Sequence, residues 1–460
     1  MHVLLPEKRE KAFLIAVDTG DDPGWTAEES LAELASLAET AGAEVVGTAW
    51  QQRDQVHPLS YLGSGKAQEL KEEKSRLGFD LLVADDELSP KQQRTFEKLL
   101  DCKVLDRSGL ILDIFAQRAH TAEGRLQVEL AVLEYQLPRL TRLWTHLSRT
   151  GGGIGTRRGP GETQLETDRR VIRQRIKKMR ERVAEVQQRR ETAARARDRA
   201  LVSTVAIVGY TNAGKSTLLN ALVGDEVVEA EDKLFETLDP TSRKIALGDG
   251  QAVIATDTVG FIHKLPHQLV DAFRATLEEV TRADVLIEVV DVSDHHAPEH
   301  RRTVQTVLDE LQAGDKPRVV AYNKVDLVPA EERDTLLGAR ALREGVVISA
   351  ATGEGVDQLR RRLSEVLASL WVEVDAVVPY TAGELLSRVR ARGTVAFEYR
   401  DRDVRVHGRV APSLAGELDT VSRGWQRVVR RGRTTRADDM PATDQGEGTE
   451  RAERVERIDE

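Results

Sequence analysis

The chain has 460 residues, 40% of them hydrophobic and 31% charged. That is apolar material for about three domains at roughly 150 residues each, and it is too polar throughout for a bilayer. No stretch approaches the ~18 uninterrupted apolar residues of a membrane-spanning helix, and Met1–Lys8 lacks the apolar run of a signal peptide, so a soluble, cytoplasmic protein is expected. The single cysteine, Cys102, excludes an internal disulfide and any multi-thiolate metal module, and a net charge of −10 excludes nucleic-acid binding by bulk charge.

Residues 1–120 alternate short apolar runs (Phe13–Val17, Val45-Val46, Leu81–Val83, Val104-Leu105) with helical stretches (Glu28–Ala41, Pro90–Leu100), the rhythm of a parallel α/β domain. Gly63-Ser64-Gly65-Lys66 mimics a phosphate loop, but Ala67 stands where a magnesium-binding hydroxyl is required, so it reads as a turn into a helix. Cys102, beside a strand, reads as a small packed side chain.

Residues 121–200 carry two helical seams. Leu126, Leu130, Leu133, Leu137, Leu140, Trp144 and Leu147 recur at steps of four and three, with a bend expected at Pro138; Leu165, Ile172, Ile176, Met179, Val183 and Val186 repeat the pattern. Together they predict an antiparallel helical hairpin whose second arm, Gln164 to about Ala200, is on the order of 50 Å long. Between Arg139 and Arg199 there are 18 Lys or Arg against 7 Asp or Glu, so this arm concentrates positive charge in an otherwise acidic chain. The tip, Gly151 to Gly161, has six glycines among its eleven residues, around Arg157 and Arg158, which suits close backbone approach to RNA, with the two arginines forking onto phosphate or stacking on bases. A solvated arginine-rich face with a flexible linker is the alternative reading of the same residues.

Strand-helix alternation resumes over 201–371, followed by a small α+β unit (372–430) containing a hairpin of Val395, Phe397 and Tyr399 against Val404 and Val406. The tail, 431–460, is Arg, Asp, Glu, Thr and Gly with almost nothing apolar, a composition that predicts disorder.

The chemistry sits in 201–371. Strand Val205–Val208 runs into Gly209-Tyr210-Thr211-Asn212-Ala213-Gly214-Lys215-Ser216, the order of a phosphate-binding loop: bare amides wrap the phosphates, Lys215 neutralises them, and Ser216 ligates Mg2+. Asp257-Thr258-Val259-Gly260 ends the strand Val253–Thr256 and brings a carboxylate near the magnesium and an amide to the γ-phosphate. Asn323-Lys324-Val325-Asp326 ends Arg318–Tyr322; Asp326 accepts from the N1-H and 2-amino group of guanine, which selects GTP over ATP. Ser349-Ala350-Ala351 closes over the base. Within Phe235-Glu236-Thr237-Leu238-Asp239, Thr237 is the second candidate magnesium hydroxyl, with Thr241 as its rival. These loops predict a doubly wound GTPase domain.

After Gly260, where many GTPases hold a water-orienting glutamine, the chain has Phe261, which can neither donate nor accept a hydrogen bond. Slow turnover alone and a partner that completes the site are expected; alternatively Phe261 only packs beneath the loop while His263 positions water. His295, His296 and His300 with Asp294 resemble metal ligands but read as loop residues of a fold already served by magnesium.

On these motifs, and on Asp106-Arg107-Ser108, Asp113–Ala119, Gly124–Ala131, Gly151–Arg170 and Asp257–Leu277, the chain resembles the HflX family of ribosome-associated GTPases over about Phe13 to Gly416. The resemblance implies binding to the large ribosomal subunit and its rRNA, insertion of the hairpin tip toward the catalytic RNA centre, splitting of intact ribosomes, ribosome-stimulated hydrolysis and a free monomer. A GTP-switched assembly factor without splitting activity remains open. A transfer-RNA-modifying GTPase of related fold is disfavoured, since those resemble chains with a C-terminal cysteine motif.

Overall fold

The computed structural model describes residues 9–21, 24–140, 162–199, 203–224, 234–235, 237–248, 251–265, 274–329, 331–333, 345–422 and 427–429. Glu236, the glycine-rich tip with Arg157 and Arg158, Trp144, Leu147 and the tail from 431 lie outside them. The chain divides into two compact units, Met1–Ser369 and Leu370–Glu460.

The first unit opens with β1 (Lys11–Asp18), α1 (Ala27–Thr40), β2 (Glu44–Gln52), α2 (Ser64–Leu77), β3 (Leu81–Ala84), α3 (Pro90–Leu100), β4 (Lys103–Asp106) and α4 (Arg107–Arg118). Its strands pair in parallel in the order β2-β1-β3-β4. The helix starts are written in the sequence. Thr26 and Glu29 close a reciprocal capping box on α1, Ser89 and Gln92 do the same on α3 ahead of Pro90, and Asp106 caps α4. The Gly63–Lys66 stretch is the entry to α2. Half-buried Cys102 packs against the apolar face shared by Phe13, Phe79 and Phe96.

Helices α5 (Ala122–Arg139) and α6 (Glu162–Arg199) come next. Leu126, Leu130, Leu133 and Leu137 meet Ile172, Ile176, Met179 and Val183 in one apolar seam, flanked by the ion pairs Arg175–Glu129 and Arg180–Glu134. Among the described residues the first helix runs to Arg139. Pro138 lies within the last turn and lacks an amide for the Glu134 carbonyl, yet the ladder continues past it, the Leu140 amide donating to the Gln136 carbonyl at 3.0 Å before the backbone of Leu140 turns extended at φ −63° and ψ 122°. At 38 residues, α6 is on the order of 55 Å long and outruns the 18-residue α5.

The second sheet is built from β5 (Thr204–Gly209), α7 (Lys215–Val223), β6 (Thr241–Gly248), β7 (Gln251–Asp257), α8 (Arg274–Arg282), β8 (Val285–Asp291), α9 (Ala297–Glu310), β9 (Arg318–Asn323), β10 (Gly345–Val347) and α10 (Val356–Ser369). Its order is β10-β9-β8-β5-β7-β6, parallel except where β6 runs against β7. The chain fills one side of β5 and then crosses to the other, which opens a crevice at the carboxyl end of β5. The apolar core around Leu14, Leu34 and Phe115 also takes in Tyr210, Phe235, Leu238, Val259 and Ile262. The two sheets are thereby joined through the loops that surround that crevice.

The second unit contains β11 (Val372–Pro379), α11 (Gly383–Arg392), β12 (Thr394–Tyr399), β13 (Asp403–Val410), α12 (Pro412–Val421) and β14 (Arg427–Val429). It is an antiparallel sheet, β12-β13-β11-β14, two strands larger than the expected hairpin.

Candidate nucleotide site

Gly209 ends β5 at φ 156°, where a Cβ would sit 2.5 Å from the Val289 carbonyl. Asn212 takes a left-handed turn (φ 57°), and Gly214 (φ 89°) turns the chain into α7, whose N-terminus has no side-chain cap. A Cβ on Gly214 would collide with the Asn323 amide. Uncapped amides at a helix start, with the dipole behind them, make an anion cradle. Lys215 folds back over it, its Nζ donating to the Tyr210 carbonyl at 2.7 Å.

Opposite the cradle, Ser216 Oγ donates to Asp257 Oδ2 at 2.7 Å, Thr237 Oγ1 donates to the same oxygen at 2.7 Å, and the two hydroxyls are 2.9 Å apart. Thr241 instead begins β6, in register with Asp257. Asp257 is 2% exposed, and its Oδ1 is buried without a well-formed hydrogen bond. Burial pushes its carboxyl above the usual aspartate range, against the pull of Lys215 and the two hydroxyls. A carboxylate desolvated to this degree with an unspent oxygen is prepared for a cation.

Asn323 ties the base-side loops together: buried, it donates Nδ2 to the Ala213 carbonyl at 2.8 Å and accepts the Ala350 amide on Oδ1 at 2.9 Å. Lys324 (φ 65°) pairs with Asp291 at 2.8 Å, and Asp326 is exposed on the single turn Val325–Leu327. Ser349 is buried, receiving the Thr352 amide on its hydroxyl; Ala351 is exposed. The Thr258 hydroxyl bonds the Ile207 carbonyl at 2.7 Å. The structure thus gathers the four loops at one crevice.

Several predicted site residues serve otherwise. Phe261 is 1% exposed and packs with Ala206, Val208, Leu277 and Leu286. Its backbone bridges the phosphate loop, the amide donating to Gly209 O at 3.0 Å and the carbonyl accepting Thr211 N at 2.8 Å. Phe261 is therefore an anchor and not a group facing the reaction, because a ring is cheaper buried than exposed. It does hold Gly260 so close that a Cβ there would lie 2.8 Å from Lys215 Nζ. His263 stacks on Trp25, with ring centroids 4.4 Å apart. Phe235 and Leu238 are buried in the shared core, Phe235 edge-on to Phe115 at 4.8 Å. Asp239 spends its carboxylate on the start of α5, accepting from the His120 and Thr121 amides and the Thr121 hydroxyl.

Sequence reasoning missed the inter-sheet bonds. Tyr210 turns its hydroxyl to Glu33 and receives the His263 amide at 2.7 Å; burial and then Glu33 push its ionisation far above the usual tyrosine range. Lys264 (φ 53°) grips Asp85 and Asp86, both at 2.6 Å. Arg107, 1% exposed, joins Asp85, Glu33, Ser30 and the His263 carbonyl. Only the Asp85-Asp86 pair at a strand end and Arg107 after the next strand stand out in the sequence, with nothing to say that they meet.

Three family models match the chain: a GTP-binding GTPase N-terminal region over residues 28–116, a GTP-binding GTPase middle region over 118–197, and a 50S ribosome-binding GTPase over 204–324. A GTPase HflX of Lacrimispora saccharolytica is 45% identical over 415 residues, covering 90% of this chain and 96% of that protein. GTPase HflX of Escherichia coli is 44% identical over 421 residues, with coverage of 92% and 96%. Among solved structures, a GTP-binding protein from Sulfolobus solfataricus in complex with GDP aligns with a TM-score of 0.40 at 23% identity, over 77% of this chain and 98% of that one.

Proposed function

The chain belongs to the HflX family of GTPases and is a GTP hydrolase; from that premise we propose that it acts on the large ribosomal subunit and splits ribosomes, with hydrolysis awaiting the particle. The observation that carries this reading is the burial of Phe261, which leaves the position after Gly260 without a polar side chain toward the crevice. Turnover by the free protein is therefore slow, and the partner orders the loops or supplies the polar group.

Mg2+ fits the residues present. Ser216, Thr237 and Asp257 form an all-oxygen donor set, and Asp257 Oδ1 is buried without a well-formed hydrogen bond. Ser216 and Thr237 would hold the ion, with Asp257 behind them, and it supplies neutralisation of phosphate charge. The residues of the chain do the rest: Lys215 and the loop amides bind phosphate, Gly260 lets its backbone pass close to Lys215, and Asp326 reads guanine while Asn323 keeps its loop in place.

The charge and reach of α6 support an RNA partner, and Arg157 and Arg158 at the tip are the proposed contacts. Exchanging both for Ala weakens large-subunit binding and leaves unstimulated GTP turnover unchanged. Light scattering of intact ribosomes tests splitting: the signal falls when protein and GTP are added together. A constant signal with firm binding would overturn splitting in favour of a GTP-switched assembly factor. No helix among the described residues is long and apolar enough to cross a membrane; a cytoplasmic monomer fits this reading.

A further inference from the structure

The histidines after β8 look unpromising in the sequence because the carboxylate that completes them lies far earlier in the chain. In the structure Glu29, on the first turn of α1, faces them: its Oε1 is 3.2 Å from His296 Nε2 and 3.8 Å from His295 Nε2, and the three ligand atoms lie within 4.8 Å of one another. We propose that Glu29, His295 and His296 form a binding site for one divalent ion of the borderline class, Zn2+ being its representative, which staples the first α/β domain to the nucleotide-binding domain.

Two of the three ligands are held before any ion arrives, and the exposed His295 is free to swing onto it. The Glu29 Oε2 is spent on the capping box, accepting the Thr26 amide and hydroxyl at 2.8 Å each, which leaves Oε1 outward. His296 stacks on Trp25 with centroids 4.9 Å apart and planes 16° from parallel, and its amide donates to Asp294 Oδ1 at 2.9 Å. The same Asp294 oxygen stands 3.7 Å from His295 Nδ1, on the far side of the ring from Glu29, near but not hydrogen-bonded to it.

Two imidazole nitrogens and one carboxylate oxygen suit zinc, copper or nickel and not magnesium, which prefers oxygen alone. His295 is 81% exposed, so a fourth position is left for water. The site is also connected. Trp25 stacks on His263, three residues beyond Gly260, and His300 stacks on Tyr210 of the phosphate loop at 3.7 Å. An ion here stiffens the stack between the two domains without touching the nucleotide crevice, and the assignment does not depend on the ribosomal reading.

The test is zinc titration of the metal-stripped full-length protein against a chromogenic zinc indicator. The native chain is expected to take one tight equivalent and to gain melting temperature with zinc. Glu29→Gln keeps the capping box, which accepts glutamine, and His295→Ala alters an exposed side chain. Each is expected to weaken that equivalent by well over a hundredfold, beyond the ~10–100-fold that outer-shell changes cost, and to abolish the thermal gain. Zinc affinity equal in all three proteins, no tight equivalent in the native chain, or displacement of zinc by millimolar magnesium would overturn the proposal.

Discussion

The carboxyl edges of the two parallel sheets hold similar residues and spend them differently. On the four-stranded sheet, Asp85 gives Oδ1 to Arg107 and Oδ2 to Ser30 and Lys264, while Asp106 accepts from Leu88, Gly109, Tyr135 and Arg139. On the six-stranded sheet, Asp257 keeps one buried oxygen without a well-formed hydrogen bond, touched only by the neighbouring Thr258 amide, beside an uncapped helix start. The first edge is saturated and holds the molecule together. The second is under-satisfied and waits for a ligand. An acid at the end of a strand is thus read for function only once its hydrogen-bond partners have been counted.

Breaking the saturated edge should cost most. Burial pushes the Asp85 carboxyl up, but Arg107 and Lys264 overcome it and hold it well below the usual range. Asp85→Asn leaves two cations short of a partner and should lower unfolding stability by roughly 3–5 kcal/mol at neutral pH, measured by urea titration. An acid depressed in the folded state stabilises above its unfolded pKa and loses that contribution as pH falls, so the gap between native and variant should narrow below about pH 4. A constant gap would mean that packing, and not charge, carries Asp85.

On the open edge, Asp326→Asn should weaken GTP and GDP on the order of a hundredfold, through lost charge-assisted bonds of ~1.5–3 kcal/mol each, with melting of the free protein unchanged; nucleotide titration calorimetry checks it. Asp239→Ala, which removes the acceptor of the His120 and Thr121 amides just ahead of α5, should cost about 1 kcal/mol in the same urea assay. Asp257→Asn sharpens the contrast most. Because the Asp257 carboxyl is raised by burial, its ionisation disfavours folding once pH exceeds the unfolded value. The variant should match or slightly exceed the native stability at pH 7 while losing magnesium-dependent GTP binding. A stability loss like that of Asp85→Asn would erase the distinction between the two edges.

Much of this site was legible because phosphate and guanine chemistry constrains short, contiguous loops. Gly209 to Ser216 and Asn323 to Asp326 each carry their own chemistry within a few residues, and the apolar steps of Leu126–Leu137 and Ile172–Val183 carry the hairpin. The illegible part depends on residues distant in the chain. The packing of Phe261 is only the alternative reading of the sequence, and nothing in it warns that Asp239 holds Thr121, the cap of α5, or that Lys264 and Tyr210 reach back to Asp85 and Glu33. Pro138 was visible, but that the helix carries it within its last turn and stops at Arg139 shows only in the extended backbone that Leu140 adopts.

The most direct test is steady-state GTP turnover at fixed low salt, with and without purified large ribosomal subunits. The account predicts slow turnover by the free chain and a rise of at least about a hundredfold with the particle, the scale of a completed transition-state contact. Brisk turnover alone, unchanged by saturating subunits, would contradict it.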